Sequence, residues 1–164
     1  MTCHEAIQYL DSFINYERVS PQAVGEGSFR LERVFWLLEQ LGNPHQKFPS
    51  IHIAGTKGKG STAAMIASIL KTAGYRTGLY TSPHLFDVKE RIQISGKPNS
   101  EQRLIQLIET IKPVAERYRQ NEQWGPLTWF EVFTVIAFLF FAGEAIDMAV
   151  LETGLGGRLD ATNV

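Results

Sequence analysis

Residues 55–62 read Gly-Thr-Lys-Gly-Lys-Gly-Ser-Thr, with three glycines and two lysines in the first six positions. A short apolar segment, 50–55, runs into this stretch, and an Ala-, Ile- and Leu-rich segment, 61–73, follows it. A glycine loop between strand and helix is the setting in which backbone N–H groups wrap phosphate oxygens at the positive end of a helix dipole. Glycines permit the turn and the close approach of backbone to ligand, and a lysine supplies a point charge for the outer phosphates. Gly55, Thr56, Lys57, Gly58, Lys59, Gly60, Ser61 and Thr62 therefore form a predicted nucleotide cradle. The bland alternative is a charged glycine turn.

The spacing departs from G-x-x-x-x-G-K-[S/T]. Ile53 stands where the first glycine belongs, and Gly60 stands where a metal-binding hydroxyl follows the lysine. Either Ser61 or Thr62 replaces that hydroxyl, or the oxygen ligands come from elsewhere. Two other predicted strands supply candidates. One ends in Thr81-Ser82-Pro83-His84, so Ser82 offers a hydroxyl on the same sheet edge, unless it is a turn residue ahead of proline. The other ends in Glu152 before a second glycine-rich loop. A carboxylate there suits Mg²⁺, which prefers oxygen ligands and retains several waters, and its alternative role is pairing with Arg158 or Lys59. His84 is left out of the catalytic set.

The elements that must position these residues follow from periodicity. Helical spacing of apolar residues predicts helices over 4–19, 31–41 and 61–73. Asn99 and Ser100 offer caps for a helix reaching roughly Arg119, and Thr128 with Glu131 forms a capping box before an apolar helix. Strands are predicted at 50–55, 77–82, 91–95 and 148–153. Strands alternating with helices predict an α/β fold with a mostly parallel sheet. The apolar run 132–142 holds only eleven residues, against the roughly 20 needed to span a bilayer.

Composition narrows the function. In 164 residues, 16 basic and 17 acidic side chains give a net charge of −1, which offers no footprint for nucleic acid or an anionic membrane. The single cysteine, Cys3, cannot form an internal disulfide. A cytoplasmic protein is expected.

Four motifs in order, GTKGKGST, TSPHLFDVKERIQISG, LTWFEVFTVIAF and LETGLGGRLDATNV, resemble the folylpolyglutamate synthase/dihydrofolate synthase group of the Mur ligase superfamily. The likeness runs from about Phe29 to Val164. It implies a sheet of P-loop NTPase type (the Mur ligase central domain), incomplete: residues 1–164 would be the N-terminal part of the ATP-binding domain. The rest of that domain and a C-terminal glutamate-ligase domain would be absent, and the complete enzyme would be a monomer. The implied activity is an ATP-dependent ligase that joins L-glutamate to dihydropteroate or to a tetrahydrofolate through an acyl phosphate.

By the same resemblance, Lys59 and Glu152 are catalytic, with Lys59 on the β/γ-phosphates of ATP, and Ser82 and Glu152 hold Mg²⁺. The pterin would meet Phe29, Arg30 and Leu31, then Leu127, Thr128, Trp129 and Phe130, then Leu159, Asp160 and Ala161. Phe130 and Asp160 have the types a pterin requires, a flat apolar face and a carboxylate for its amino-pyrimidine edge. A further histidine ligand and a modified lysine of the family would lie beyond Val164. Two alternatives remain open: a non-catalytic ATP-binding module, and a cell-wall Mur-type amino-acid ligase. The latter usually has Thr or Ser where this chain has Gly60.

Overall fold

A computed structural model describes residues 1–18 and 28–164. Its five helices are α1 (Cys3–Asp11), α2 (Leu31–Gln40), α3 (Lys59–Thr72), α4 (Glu101–Arg119) and α5 (Trp129–Gly143). Its five strands are β1 (Ser50–Ile53), β2 (Thr77–Tyr80), β3 (Ile92–Ile94), β4 (Lys97–Pro98) and β5 (Met148–Glu152). They form one sheet in the order β1-β5-β2-β3-β4.

The fold is α/β, but the sheet is mixed rather than mostly parallel. β5 lies parallel to both β1 and β2, whereas β3 runs antiparallel to β2 and to β4. Parallel neighbours need a helical crossover. α3 provides the crossover from β1 to β2, which lie parallel on either side of β5, but only the 3-10 turn Val88–Arg91 lies between β2 and β3. At the next connection Ser95 and Gly96 have φ of 47° and 78°. Positive φ at both central residues of a two-residue turn gives a tight hairpin, and the strand reverses.

Sequential side chains on the central strands serve opposite faces. Tyr80, Ala149 and Leu151 join α1, α2, α4 and α5 in the main core, while Leu79 and Val150 pack with Ala63 of α3. α5 is apolar on nearly every side, and its residues from Val132 to Phe138 are all buried. The predicted capping box is present: Thr128 Oγ1 accepts from the Glu131 N–H, and Glu131 Oε2 accepts from the Thr128 N–H. Among the described residues no helix is long and apolar enough to cross a membrane.

The first helix is shorter than its 4–19 pattern predicts. It stops at Asp11, the Ser12 hydroxyl donates to the Tyr9 carbonyl at 2.6 Å, and Ile14 instead bridges to Thr128 as a strand-like pair. Phe13 is still buried, so the apolar pattern reports burial rather than continued helix. Val19, the predicted helix end, lies outside the described residues. α3 begins at Lys59, two residues earlier than expected, which places the cradle's lysine in the first helical turn.

Candidate active site

The parallel strands β1, β5 and β2 all end on one edge of the sheet, where the glycine loop, Ser82 and Glu152 come together. Gly58 caps α3 with φ 75°, a left-handed conformation that glycine adopts without strain. It has no side chain to occupy the first-turn N–H groups of α3, so those donors are directed at whatever lies before the helix. The Thr62 hydroxyl donates back to the Gly58 carbonyl at 2.9 Å, while Ser61 is exposed.

Glu152 closes this edge. It is buried at the end of β5, and its Oε2 accepts from the Ser82 N–H at 3.0 Å. A Cβ on Gly60 would stand 3.3 Å from Glu152 Oε2 and 3.4 Å from Oε1. The absent side chain after Lys59 and the carboxylate are therefore two halves of one arrangement. Where a P-loop usually places a hydroxyl, this chain keeps the helix bare and lets Glu152 approach from the next strand. A carboxylate beside Ser82 at the mouth of the glycine loop is a hard-oxygen donor set, which fits Mg²⁺ with several waters retained. Among the described residues no cluster of three His, Cys, Asp or Glu is grouped for a metal, so protein donors of those types are few here.

Beside this edge opens a cleft of about 340 Å³, lined among others by Lys59, Ser82, Phe29, Thr128, Phe130 and Asp160. Leu159 and Ala161 also line it. Of the remaining predicted positions, Arg30 is the exposed N-cap of α2 and Leu31 begins that helix. Leu127 and Trp129 are buried in the core. Trp129 stacks on Phe133 at 4.6 Å between centroids and carries the Arg91 guanidinium on its ring. Phe130 is held by close packing: a Cβ on Gly154 would lie 2.7 Å from its Cζ, so the glycine-rich loop has to be bare where the ring passes.

Asp160 organises that loop. Oδ2 accepts from the Gly154 and Leu155 N–H groups, both at 2.9 Å, and Oδ1 accepts from the Thr162 N–H and hydroxyl at 3.0 and 2.5 Å. Since the Thr162 proton goes to Asp160, the hydroxyl accepts from His52, which fixes its Nε2–H tautomer across a 2.7 Å contact. Burial holds the His52 imidazole below the ordinary histidine range, with Asp160 opposing that shift.

No protein-family model matches the chain. Against curated proteins, it is 45% identical over 135 residues to the dihydrofolate synthase/folylpolyglutamate synthase of Bacillus subtilis, an alignment covering 82% of this chain and 31% of that protein. Among solved structures, folylpolyglutamate synthase of Thermotoga maritima superposes with a TM-score of 0.86 at 43% identity, over 98% of this chain and 35% of that one. The chain belongs to the folylpolyglutamate synthase/dihydrofolate synthase family. A further folylpolyglutamate synthase, solved with AMPPCP and folate, matches with a TM-score of 0.86 and 36% identity over the whole chain. The chain spans about a third of the length of these synthases: 31% of the first, 35% of the second and 38% of the third.

The cleft of this synthase-family chain also contains residues that the sequence reading did not assign to the site. Tyr16, Glu17, Pro83, Glu131, Gly154 and Leu155 line it. Two of these are carboxylates gripped from behind by buried arginines. Arg91 donates to both Glu17 oxygens at 2.9 and 2.6 Å, and Arg33 reaches Glu131 Oε1 at 2.7–2.8 Å. Burial pushes the Glu131 carboxyl up, and Arg33 pulls against it. Arg91 Nε donates to His84 Nδ1 at 2.8 Å, so His84 is neutral there, held below the ordinary histidine range by burial and then by Arg91. The one sequence signal for these pairs was the presence of charged residues inside apolar helical or strand patterns.

Proposed function

We propose that this chain carries the ATP site and the pterin-facing wall of an ATP-dependent ligase that joins L-glutamate to dihydropteroate or a reduced folate. The observation that carries the reading is the Gly60–Glu152 apposition beside an aromatic-floored cleft: a phosphate cradle whose acidic ligand comes from the neighbouring strand, next to space for a flat heterocycle. Relatives of this architecture include a folylpolyglutamate synthase solved with AMPPCP and folate.

In this reading the α3 N-terminus and Lys59 hold the β- and γ-phosphates of ATP, and residues Gly55 to Thr62 follow the triphosphate. Ser82 and Glu152 hold Mg²⁺, which when bound neutralises charge on the transferring phosphoryl group. Phe29 and Phe130 give the pterin an apolar face, Thr128 and the paired carboxylates present acceptors to its donor-rich edge, and Asp160 holds the 154–162 loop that forms the adjoining wall. The four hydrogen bonds already accepted by Asp160 keep it fixed. Phosphoryl transfer to the substrate carboxylate makes an acyl phosphate, and the glutamate amine displaces phosphate through a tetrahedral intermediate. The chain's own contribution is positioning and electrostatics rather than covalent chemistry.

The chain is read as the N-terminal part of the ATP-binding domain of a larger, cytoplasmic, monomeric enzyme, with no nucleic-acid or membrane partner. The experiment is calorimetric titration of the chain with ATP, with and without Mg²⁺, in the native sequence and in Lys59→Ala. Mg²⁺-dependent binding that the substitution abolishes is expected. Binding unaffected by Lys59→Ala contradicts the assignment.

A further inference from the structure

The cleft walls come from segments distant in sequence, and one buried side chain ties two of them, 28–29 and 126–131, together at three acceptors. Arg33 sits on α2 at 2% exposure. Its Nη2 donates to the Ser28 carbonyl at 2.6 Å, next to Phe29. Its Nη1 donates to the Pro126 carbonyl at 2.9 Å, in the turn before Thr128. Its Nε donates to Glu131 Oε1 at 2.8 Å, in the first turn of α5. The other oxygen of Glu131 caps the same helix through the Thr128 N–H at 2.8 Å. Phe29, Thr128 and Glu131 all line the cleft, while Arg33 itself does not.

We propose that Arg33 is a positioning residue for the pterin side of the cleft, acting through Phe29, Thr128 and Glu131, and that it leaves the nucleotide side alone. The inference rests on the reading of this cleft as a pterin site. The guanidinium suits the task because its donors are fixed in one plane, so three acceptors are located relative to one another at once. A lysine keeps the charge opposite Glu131 but offers a single point of attachment, and it cannot hold Ser28, Pro126 and Glu131 together. None of these contacts reaches the α3 N-terminus or Glu152 of β5.

The test compares the native chain with Arg33→Lys, using 7,8-dihydropteroate and Mg-ADP as separate probes and amide hydrogen exchange as a ligand-free readout. Arg33→Lys is expected to weaken dihydropteroate binding about 10- to 100-fold, the scale of an ångström-level misplacement, with Mg-ADP affinity changed by no more than about twofold. Exchange over 28–31 and 127–131 is expected to accelerate while 58–62 keeps its rate. Unchanged dihydropteroate affinity, or unchanged exchange in the clamped segments, overturns the proposal, as does a parallel loss of both ligands in a folded variant. If the native chain binds Mg-ADP but no dihydropteroate, the pterin reading fails, and the exchange pattern alone then decides the clamp. If Arg33→Lys does not fold, Glu131→Gln, which retains an N3 capping acceptor but itself lines the cleft, is held to the exchange pattern alone: faster exchange over 28–31 with 58–62 unchanged supports the clamp, and unchanged exchange over 28–31 overturns it.

Discussion

Gly60→Ala separates two roles that most substitutions at a phosphate loop confound. Gly60 is in the first turn of α3, and alanine is favoured there over glycine by up to about 1 kcal/mol of helix propensity. Against this, the new Cβ would stand 3.3 and 3.4 Å from the two Glu152 oxygens, closer than a carboxylate tolerates without retreating by a few tenths of an ångström. That retreat works against the 3.0 Å contact from the Ser82 N–H. A hydrogen bond to a charged group contributes about 1.5–3 kcal/mol, and only part of it is lost by lengthening. The two terms nearly cancel in folding, so the unfolding free energy should move by no more than about 1 kcal/mol, or about 2–4 °C in a domain of this size. Ligand binding has no such compensation, because the displaced carboxylate is the group assigned to Mg²⁺. ATP binding in the presence of Mg²⁺ should weaken about tenfold, equivalent to about 1.4 kcal/mol, while binding in EDTA stays as in the native chain. Urea unfolding and paired calorimetric titrations measure both quantities. A Gly60→Ala chain with full Mg²⁺-dependent affinity refutes the reasoning, as does one that loses metal-free binding equally.

Three further outcomes follow from the geometry. Gly78→Ala places a Cβ 2.7–2.8 Å from Ile146 Cδ1 and the Phe141 ring, and this overpacking should destabilise the fold by about 1–3 kcal/mol in denaturant melts. Asp160→Asn puts an amide nitrogen against N–H donors and strands part of the 154–162 loop; a loss of about 1–3 kcal/mol and faster amide exchange at Gly154 and Leu155 are expected. The folded state keeps His84 neutral to lower pH than the unfolded chain does, so the unfolded state takes up the proton first. Stability from this group is complete above the ordinary histidine range and falls as pH drops through that range towards the folded value. The decline in urea midpoint should be smaller in His84→Gln, whose side-chain oxygen still accepts from Arg91.

The glycine-loop side of the cleft was legible in sequence as geometry because its requirements are local. Gly58, Lys59 and Gly60 are contiguous, and their departure from the common spacing pointed to donors on other strands. The structure then set Glu152 against the bare Cα of Gly60, with the Ser82 N–H on its carboxylate. The Thr128–Glu131 capping box was legible for the same reason. The sheet was less so. Three-residue β3 carries no mark of its direction, which follows from the missing crossover helix between β2 and β3, while the positive-φ Ser95-Gly96 turn reverses the chain again into β4. The cleft's charged frame was the least legible part. Arg33 and Glu131 are 98 positions apart, and Arg91 and Glu17 are 74 apart, so no window of sequence holds either pair. In α2, Arg33 reads as a polar residue of an amphipathic helix, and at the start of α5 Glu131 reads only as a capping residue; the packing shows both to be interior.

The central claim is that one sheet edge holds ATP and the adjoining cleft holds the pterin. An amide chemical-shift map of the labelled chain, titrated with Mg-ADP and then with 7,8-dihydropteroate, tests it most directly. The first ligand should move residues 57–62, Ser82 and Glu152, and the second should move Phe29, Thr128, Phe130 and the 159–161 segment. Shifts confined to other faces, or a pterin that perturbs the α3 loop and leaves the cleft untouched, would contradict the account.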